Sequence, residues 1–202
     1  MKPVSEIPFV ARNAALDFVN TAEKRGDPSA GDALLEPGDL RTWGQRYGLL
    51  TSSLRLPRDA QAELDRAIEA RELLYALFLA RVEERRPRRD DLARLAELAR
   101  AAYRAGTLRV DQDGSVHWHW SPCELTTVRH VAVASAVELI HTEPSPRLKQ
   151  CPGDHCGWLF LDQTKRGNRR WCLMSECGQE AKDERRRRRR HADARGAHAD
   201  RP

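Results

Sequence analysis

Four of the chain's five cysteines fall in two pairs near its end, Cys151 with Cys156 and Cys172 with Cys177. Each pair encloses four residues, and fifteen residues separate the pairs. Thiolates at such spacing can close a tetrahedron around Zn2+, which in a structural site leaves no position to water. The chain opens without the basic, apolar and small-residue regions of a signal peptide. A reducing cytoplasm is therefore expected, where paired cysteines serve as metal ligands rather than disulfides. The expectation is one structural zinc per chain on Cys151, Cys156, Cys172 and Cys177, with His155 as the substitute ligand. The zinc would supply folding energy that a module of about fifty residues cannot draw from burial alone. Nothing suggests the open coordination position of a catalytic zinc. The fifth cysteine, Cys123, is expected to be a small core residue.

A second constellation follows directly. Lys182 precedes six consecutive arginines, Arg185, Arg186, Arg187, Arg188, Arg189 and Arg190. Residues 1–145 carry 20 basic and 22 acidic side chains, a net of −2, and residues 146–202 carry 15 and 8, a net of +7. An acidic body with a basic end is the asymmetry expected when that end meets a polyanion. Arginines around a helix cannot all face one partner, so some are expected on phosphates and others paired with Asp183 and Glu184. Lys165, Arg166, Arg169 and Arg170 would extend the surface. Gln179, Asn168 and some of the arginines are the candidates for base-edge contacts.

The remaining residues must position these groups. Pro152-Gly-Asp-His155 is turn-forming and can fold into a knuckle. A strand over 157–161, a polar turn, a return strand over 169–171 and a helix from Cys177 would complete a treble-clef-like module. Upstream, the spacing of Ala14, Phe18 and Ala22 predicts a helix over 10–24. A short helix is expected from near Asp39, with Leu40, Trp43 and Tyr47 on one side and Gly48 at its end or a close packing point. A long helix from Pro57 or Asp59 to Arg86 is apolar all round over Leu73–Leu79, as the centre of a bundle would be. Another is expected over 90–105. The period then changes to two: Leu108–Val110 and Val116–Trp120 read as a β-hairpin, with His117 and His119 on the polar face. A further helix is expected from Ser121-Pro122 to about Thr142. Asp17, Asn20 and Thr21 are candidate ligand-pocket residues. The fold class is thus mainly α, a helical domain with one hairpin over 1–143. The stiff linker 143–146, a zinc module over 147–190 and an unstructured tail over 191–202 follow.

Cys-Pro-x-x-x-Cys-Gly-Trp-Leu-Phe-Leu-Asp, then Arg-Arg-Trp-Cys-x-Met-x-x-Cys-Gly, then a basic helix, resembles the CGNR-type zinc finger. That finger usually ends a bacterial protein whose N-terminal part is the ABATE domain, and Leu16-Asp-Phe-Val-Asn-Thr21 is similar to that domain's opening motif. The resemblance implies four cysteine zinc ligands at the positions above and a DNA-binding role in transcription regulation. One departure stands at the motif that names the finger: Cys-Gly-Asn-Arg is here Cys177-Gly178-Gln179-Glu180, with an acid where the family has an arginine.

The expected function is a zinc-dependent, DNA-binding transcription regulator, cytoplasmic and nucleoid-associated. Its partners would be duplex DNA, a small-molecule effector bound by the helical domain, and a second copy in a homodimer, with no membrane. Two other classes stay open. One is an RNA-binding or protein-interaction module with architectural zinc. The other is a small-molecule-binding protein or enzyme with its site in the helical domain. The chain holds no nucleophile elbow, P-loop or His-Glu-x-x-His, and an enzyme is not expected.

Overall fold

The computed structural model describes residues 2–25, 27, 30–142 and 147–199, and of residues 191–199 the backbone alone. The linker expected over 143–146 lies outside the described residues.

The first helix, α1, is Ala14–Val19, much shorter than the apolar spacing suggests. Arg12 adopts a left-handed φ of 53°, and the Asn13 side chain accepts the Leu16 N–H as an N-cap. After Asn20 the chain leaves the helix to form a bridge between Ala22 and Asp32. The next helix, α2, spans Pro37–Arg46 and is capped at Glu36 rather than at Asp39. The Asp39 carboxylate instead reaches back to accept the N–H groups of Leu35 and Glu36. Gly48, with φ at 81°, ends the turn after it. Gly44 is the close packing point: a Cβ there would lie 2.6 Å from both Leu50 and Val128.

The long helix α3 is Ala60–Val82. It stops short of Arg86 because Glu84 turns left-handed at φ 54° and the Arg85 N–H closes onto the Ala80 carbonyl. Its apolar middle is the centre of the bundle, with Leu74 and Phe78 fully buried, and α3 packs on α1, α2 and two later helices. These are α4, Arg89–Ala105, and α5, Thr127–Thr142. Between them strands β1, Thr107–Val110, and β2, Val116–His119, pair antiparallel. The start of α5 lies beyond the expected Ser121-Pro122, which forms a turn held by the Thr127 hydroxyl donating to the Ser121 carbonyl at 2.6 Å. A buried, two-pronged ion pair between Arg129 and Glu63 (2.7 and 3.0 Å) ties α5 to α3. Cys123 is exposed in this turn, not a core residue.

Past the linker, strand β3 (Leu148–Gln150) pairs antiparallel with β4 (Leu159–Leu161). Helix α6 then runs from Cys177 to Ala199. The stretch from 191 expected as an unstructured tail is helical backbone to Ala199, with Ala192, Ala194, Ala197 and Ala199 the strong helix formers in it. The apolar core is continuous: a single cluster runs from Val4 and Phe18 through Phe78 to Phe160 and Cys177. The fold is mainly α, with a hairpin and a C-terminal cysteine module ending in a helix.

Candidate metal centre

The two cysteine pairs are carried by different elements. β3 and β4 continue as a ladder one step beyond their ends, with the Cys151 N–H on the Trp158 carbonyl at 2.8 Å. The intervening residues fold into a knuckle in which the Cys156 N–H meets the Gly153 carbonyl at 3.0 Å. His155 and Gly157 take left-handed φ values of 55° and 66° to close it. A Cβ on Gly153 would lie 2.8 Å from the Cys177 sulfur, so the knuckle can meet the opposite pair only through a glycine. Cys172 arrives from the loop after β4, and Cys177 is the first residue of α6. Gly178 is less constrained: a Cβ there would sit 2.5 Å from the Met174 sulfur, but that side chain is flexible and exposed and can move aside.

The four Sγ atoms lie within 4.8 Å of one another, and three of the four residues are buried. Cys172 Sγ is 3.7 Å from both Cys156 Sγ and Cys177 Sγ. A disulfide needs about 2.05 Å. A tetrahedron with zinc–sulfur bonds of about 2.3 Å needs sulfurs about 3.8 Å apart. The donor set therefore fits one Zn2+. His155 is not part of the cluster; its imidazole lies beside Asp154 at 3.5 Å.

Electrostatics agree. Hydrogen bonds from the Cys156 and Cys172 thiols pull the Cys151 thiol down to about 2. Cys156, which donates to Cys151, is pushed up to about 12. Cys172 is pushed up by the Cys151 contact, and Cys177 by burial. Ionisation of one thiol thus opposes that of its neighbours, and a divalent cation bound among them would favour the thiolate form. Backbone N–H groups add support, Cys172 N–H reaching Cys151 Sγ at 3.4 Å.

The return strand expected over 169–171 does not form; β4 pairs backward with β3 instead. The reason is Asp162, a fully buried carboxylate. Burial would push its carboxyl up, but the Lys149 ammonium, Thr164 and the Arg169 N–H hold it well below the usual carboxylate range. Lys149 Nζ donates to Asp162 Oδ2 at 2.6 Å and to the Gly167 carbonyl at 2.6 Å. The Thr164 N–H reaches Oδ1 at 3.0 Å and the Arg169 N–H reaches Oδ2 at 2.8 Å. This knot of bonds wraps residues 162–169 into a loop. Its only sequence signal is the acid directly after the apolar run.

The basic residues expected on DNA divide sharply. Arg169 is structural: its guanidinium donates to the carbonyls of Trp171, Leu161, Val10 and Cys172 and stacks 4.4 Å over Phe160. Lys165, Arg166 and Arg170 are exposed, Arg170 lying 5.0 Å over the Trp171 ring. On α6, Lys182 and Arg185 through Arg190 are all exposed. Gln179 donates to Asp183 at 3.1 Å. Arg187 and Arg188 pair with Glu184 at 3.0 and 2.9 Å, and Arg186 approaches Asp183 at 3.9 Å. Glu180 borders a cavity of about 330 Å³ shared with Lys2, Lys24 and Glu176.

Asp17, Asn20 and Thr21 are fully buried. Asn20 acts as a surrogate strand partner for β4, donating to the Leu159 carbonyl at 2.8 Å and accepting its N–H at 2.9 Å. Thr21 donates to the Phe18 carbonyl and accepts from Arg71. Asp17 Oδ1 accepts the Ala11 N–H at 2.9 Å, while Oδ2 has no partner. Burial raises the Asp17 carboxyl to about 6. The seam between body and knuckle is completed by the Trp158 indole on the Ala22 carbonyl, the Arg25 N–H on the Cys156 carbonyl and the Tyr75 hydroxyl on the Gly157 carbonyl.

A four-thiolate knot shared by a hairpin and a helix N-terminus, sealed against a helical bundle, defines a zinc-finger protein with one structural zinc. Residues 12–143 match the ABATE family, described as putative stress-induced transcription regulator, and residues 147–190 match the CGNR zinc finger. The chain belongs to the ABATE family. No curated protein sequence matches it. No described helix is long and apolar enough to cross a membrane.

Proposed function

We propose that the protein is a DNA-binding transcription regulator rather than an enzyme, and that α6 is its DNA-contacting element. The observation that carries this reading is the way charge divides around α6. At 100° per residue, Lys182, Arg185, Arg186 and Arg189 fall in one stripe, three and four residues apart. Glu180 and Glu184 fall on the opposite side, where Glu184 holds Arg187 and Arg188. The stripe is thus a cationic face whose side chains stay exposed, standing on a helix whose first residue belongs to the metal centre. Phosphate contacts from such a face give affinity and salt dependence without sequence information. Lys165, Arg166 and Arg170 are the second contact set, on the loop that Asp162 organises. A small-molecule effector in the helical domain remains part of the proposal. Its pocket is not built from Asn20 or Thr21, which are occupied by β4 and Arg71.

Fluorescence anisotropy with a labelled duplex at graded salt tests this. Each phosphate contact contributes a slope of roughly −0.9 in log K against log salt. Replacing Lys182, Arg185, Arg186 and Arg189 by Ala should weaken binding strongly and flatten the slope by about three to four. Replacing Arg187 and Arg188 should change the slope by less than about one. Equal effects from both sets, or preferred binding of single-stranded RNA, would reject the reading.

A further inference from the structure

The β1–β2 hairpin has two unlike faces. Its register pairs Leu108 with Trp118 and Val110 with Val116, so these four project from one side, while Thr107, Arg109, His117 and His119 project from the other. Both faces are open to solvent, and the apolar one is broadly so: Leu108 is 60%, Val110 69%, Val116 60% and Trp118 39% accessible. The ribbon is held to α4 at its base. There Trp118 lies 5.0 Å from the Tyr103 ring of α4, and the Trp120 indole donates to the Ala102 carbonyl at 2.8 Å. Single exposed apolar residues are normal on a protein surface; four neighbours on one face mark a docking surface.

Charge indicates what docks there. The tip of the ribbon carries Asp111 and Asp113, both exposed. Asp111 lies 3.2 Å from His117, but the tip keeps two carboxylates. Helix α4, which sets Tyr103 against the base, also carries Arg104 and, one helical turn before Tyr103, Arg100, both exposed. A two-fold axis running across the ribbon turns the tip of one copy onto the base of another. Apolar then meets apolar, and Asp111 and Asp113 meet Arg100 and Arg104 twice over. The surface is complementary to itself, the condition for a closed two-fold interface.

We infer that the apolar face of the β1–β2 hairpin is a homodimer interface, in which two copies of this chain pack face to face with the acidic tip of each over the basic base of the other. It involves neither the cysteine knot nor α6, so it stands or falls apart from the DNA reading.

Sedimentation equilibrium over a range of protein concentrations tests it. The unmodified protein should form a dimer. Val110→Asp with Val116→Asp buries carboxylates against apolar side chains, and should weaken dimerisation about 100-fold or more. Because both valines are exposed in the single copy, circular dichroism should not change, and the variant should melt as the unmodified protein does at concentrations where that is monomeric. The second arm uses charge reversal. Asp111→Lys with Asp113→Lys and, separately, Arg100→Glu with Arg104→Glu should each weaken self-association. Mixing the two variants should restore a dimer, since each tip again faces an opposite base. A protein that stays monomeric at every concentration overturns the inference. So does a dimer indifferent to the valine substitutions, or charge-reversed variants that fail to recover on mixing.

Discussion

The β3–β4 pair with its following loop, and helix α6, are both rich in cations, but two cations of the first region, Lys149 on β3 and Arg169 in the loop, are turned inward. Lys149 and Arg169 sit among buried carbonyls and a buried carboxylate, and their donors are occupied within the protein. The α6 stripe of Lys182, Arg185, Arg186 and Arg189 sits on a helix whose backbone satisfies itself, so its charges face outward. An arginine near unpaired carbonyls becomes part of the fold, and one on a regular exposed helix is left for a partner. The same residue type therefore predicts a stability defect at Arg169 and a binding defect on the α6 stripe.

The largest effect should come from the metal centre that joins the two regions. Cys172→Ser, or removal of zinc by a chelator, should unfold the C-terminal module. The reason is that structural zinc in such modules contributes on the order of 10 kcal/mol of apparent binding energy. Loss of the module's protease resistance, with metal content falling to zero, would register it. Zinc retention should also weaken as pH falls, since protons compete for the thiolates.

Next is the contrast between individual arginines. Arg169→Ala should cost about 2–4 kcal/mol in denaturant unfolding, because several carbonyls lose their donor together. Arg169→Lys should not rescue it, because an ammonium cannot reproduce the guanidinium fork. Arg189→Ala should change stability by less than about 0.5 kcal/mol while weakening DNA binding. If both variants behave alike, the contrast fails.

Two buried carboxylates sharpen the comparison through pH. Asp162, in the loop, has a depressed carboxyl. Its stabilising contribution is present at neutral pH and is lost as pH falls below the ordinary carboxylate range. Lys149→Met should reduce that contribution, with Thr164 and the Arg169 N–H still holding the carboxylate. Asp17, in the body, sits at about 6 against an ordinary 3.8. Its contribution is complete below about pH 4 and is lost as pH rises through 6, an effect of about 3 kcal/mol. Asp17→Asn should erase that slope, so the variant should gain on the wild type between pH 4 and pH 7 in melting experiments.

Much of the metal centre was legible in the sequence. Cysteine type and spacing identify the ligands because zinc geometry leaves little freedom. The bundle was legible from its apolar period, most clearly in Leu73–Leu79 of α3. The first helix was not, because Ala14, Phe18 and Ala22 continue a helical spacing past the point where Asn20 turns its amide to Leu159. That bond joins residues 139 apart and leaves no local trace. The pairing of β4 with β3 was hidden for a similar reason. Residues 169–171 look as extended as Leu148–Gln150, and only the carboxylate of Asp162, gathering Lys149 and Arg169, decides between them. Helix period separates the arginines that face Glu184 from those that do not, but the sequence does not show that Arg169 donates to the Val10 carbonyl.

The central claim is that the zinc knot positions α6 for DNA. It is tested most directly by duplex binding of the full-length protein in three states: as purified, after chelation under reducing conditions, and after zinc is restored. The account predicts one zinc per chain, salt-sensitive binding that falls about tenfold or more on chelation as the knot unfolds, and recovery with zinc. Metal-free protein that binds the duplex with unchanged affinity and salt slope would contradict it.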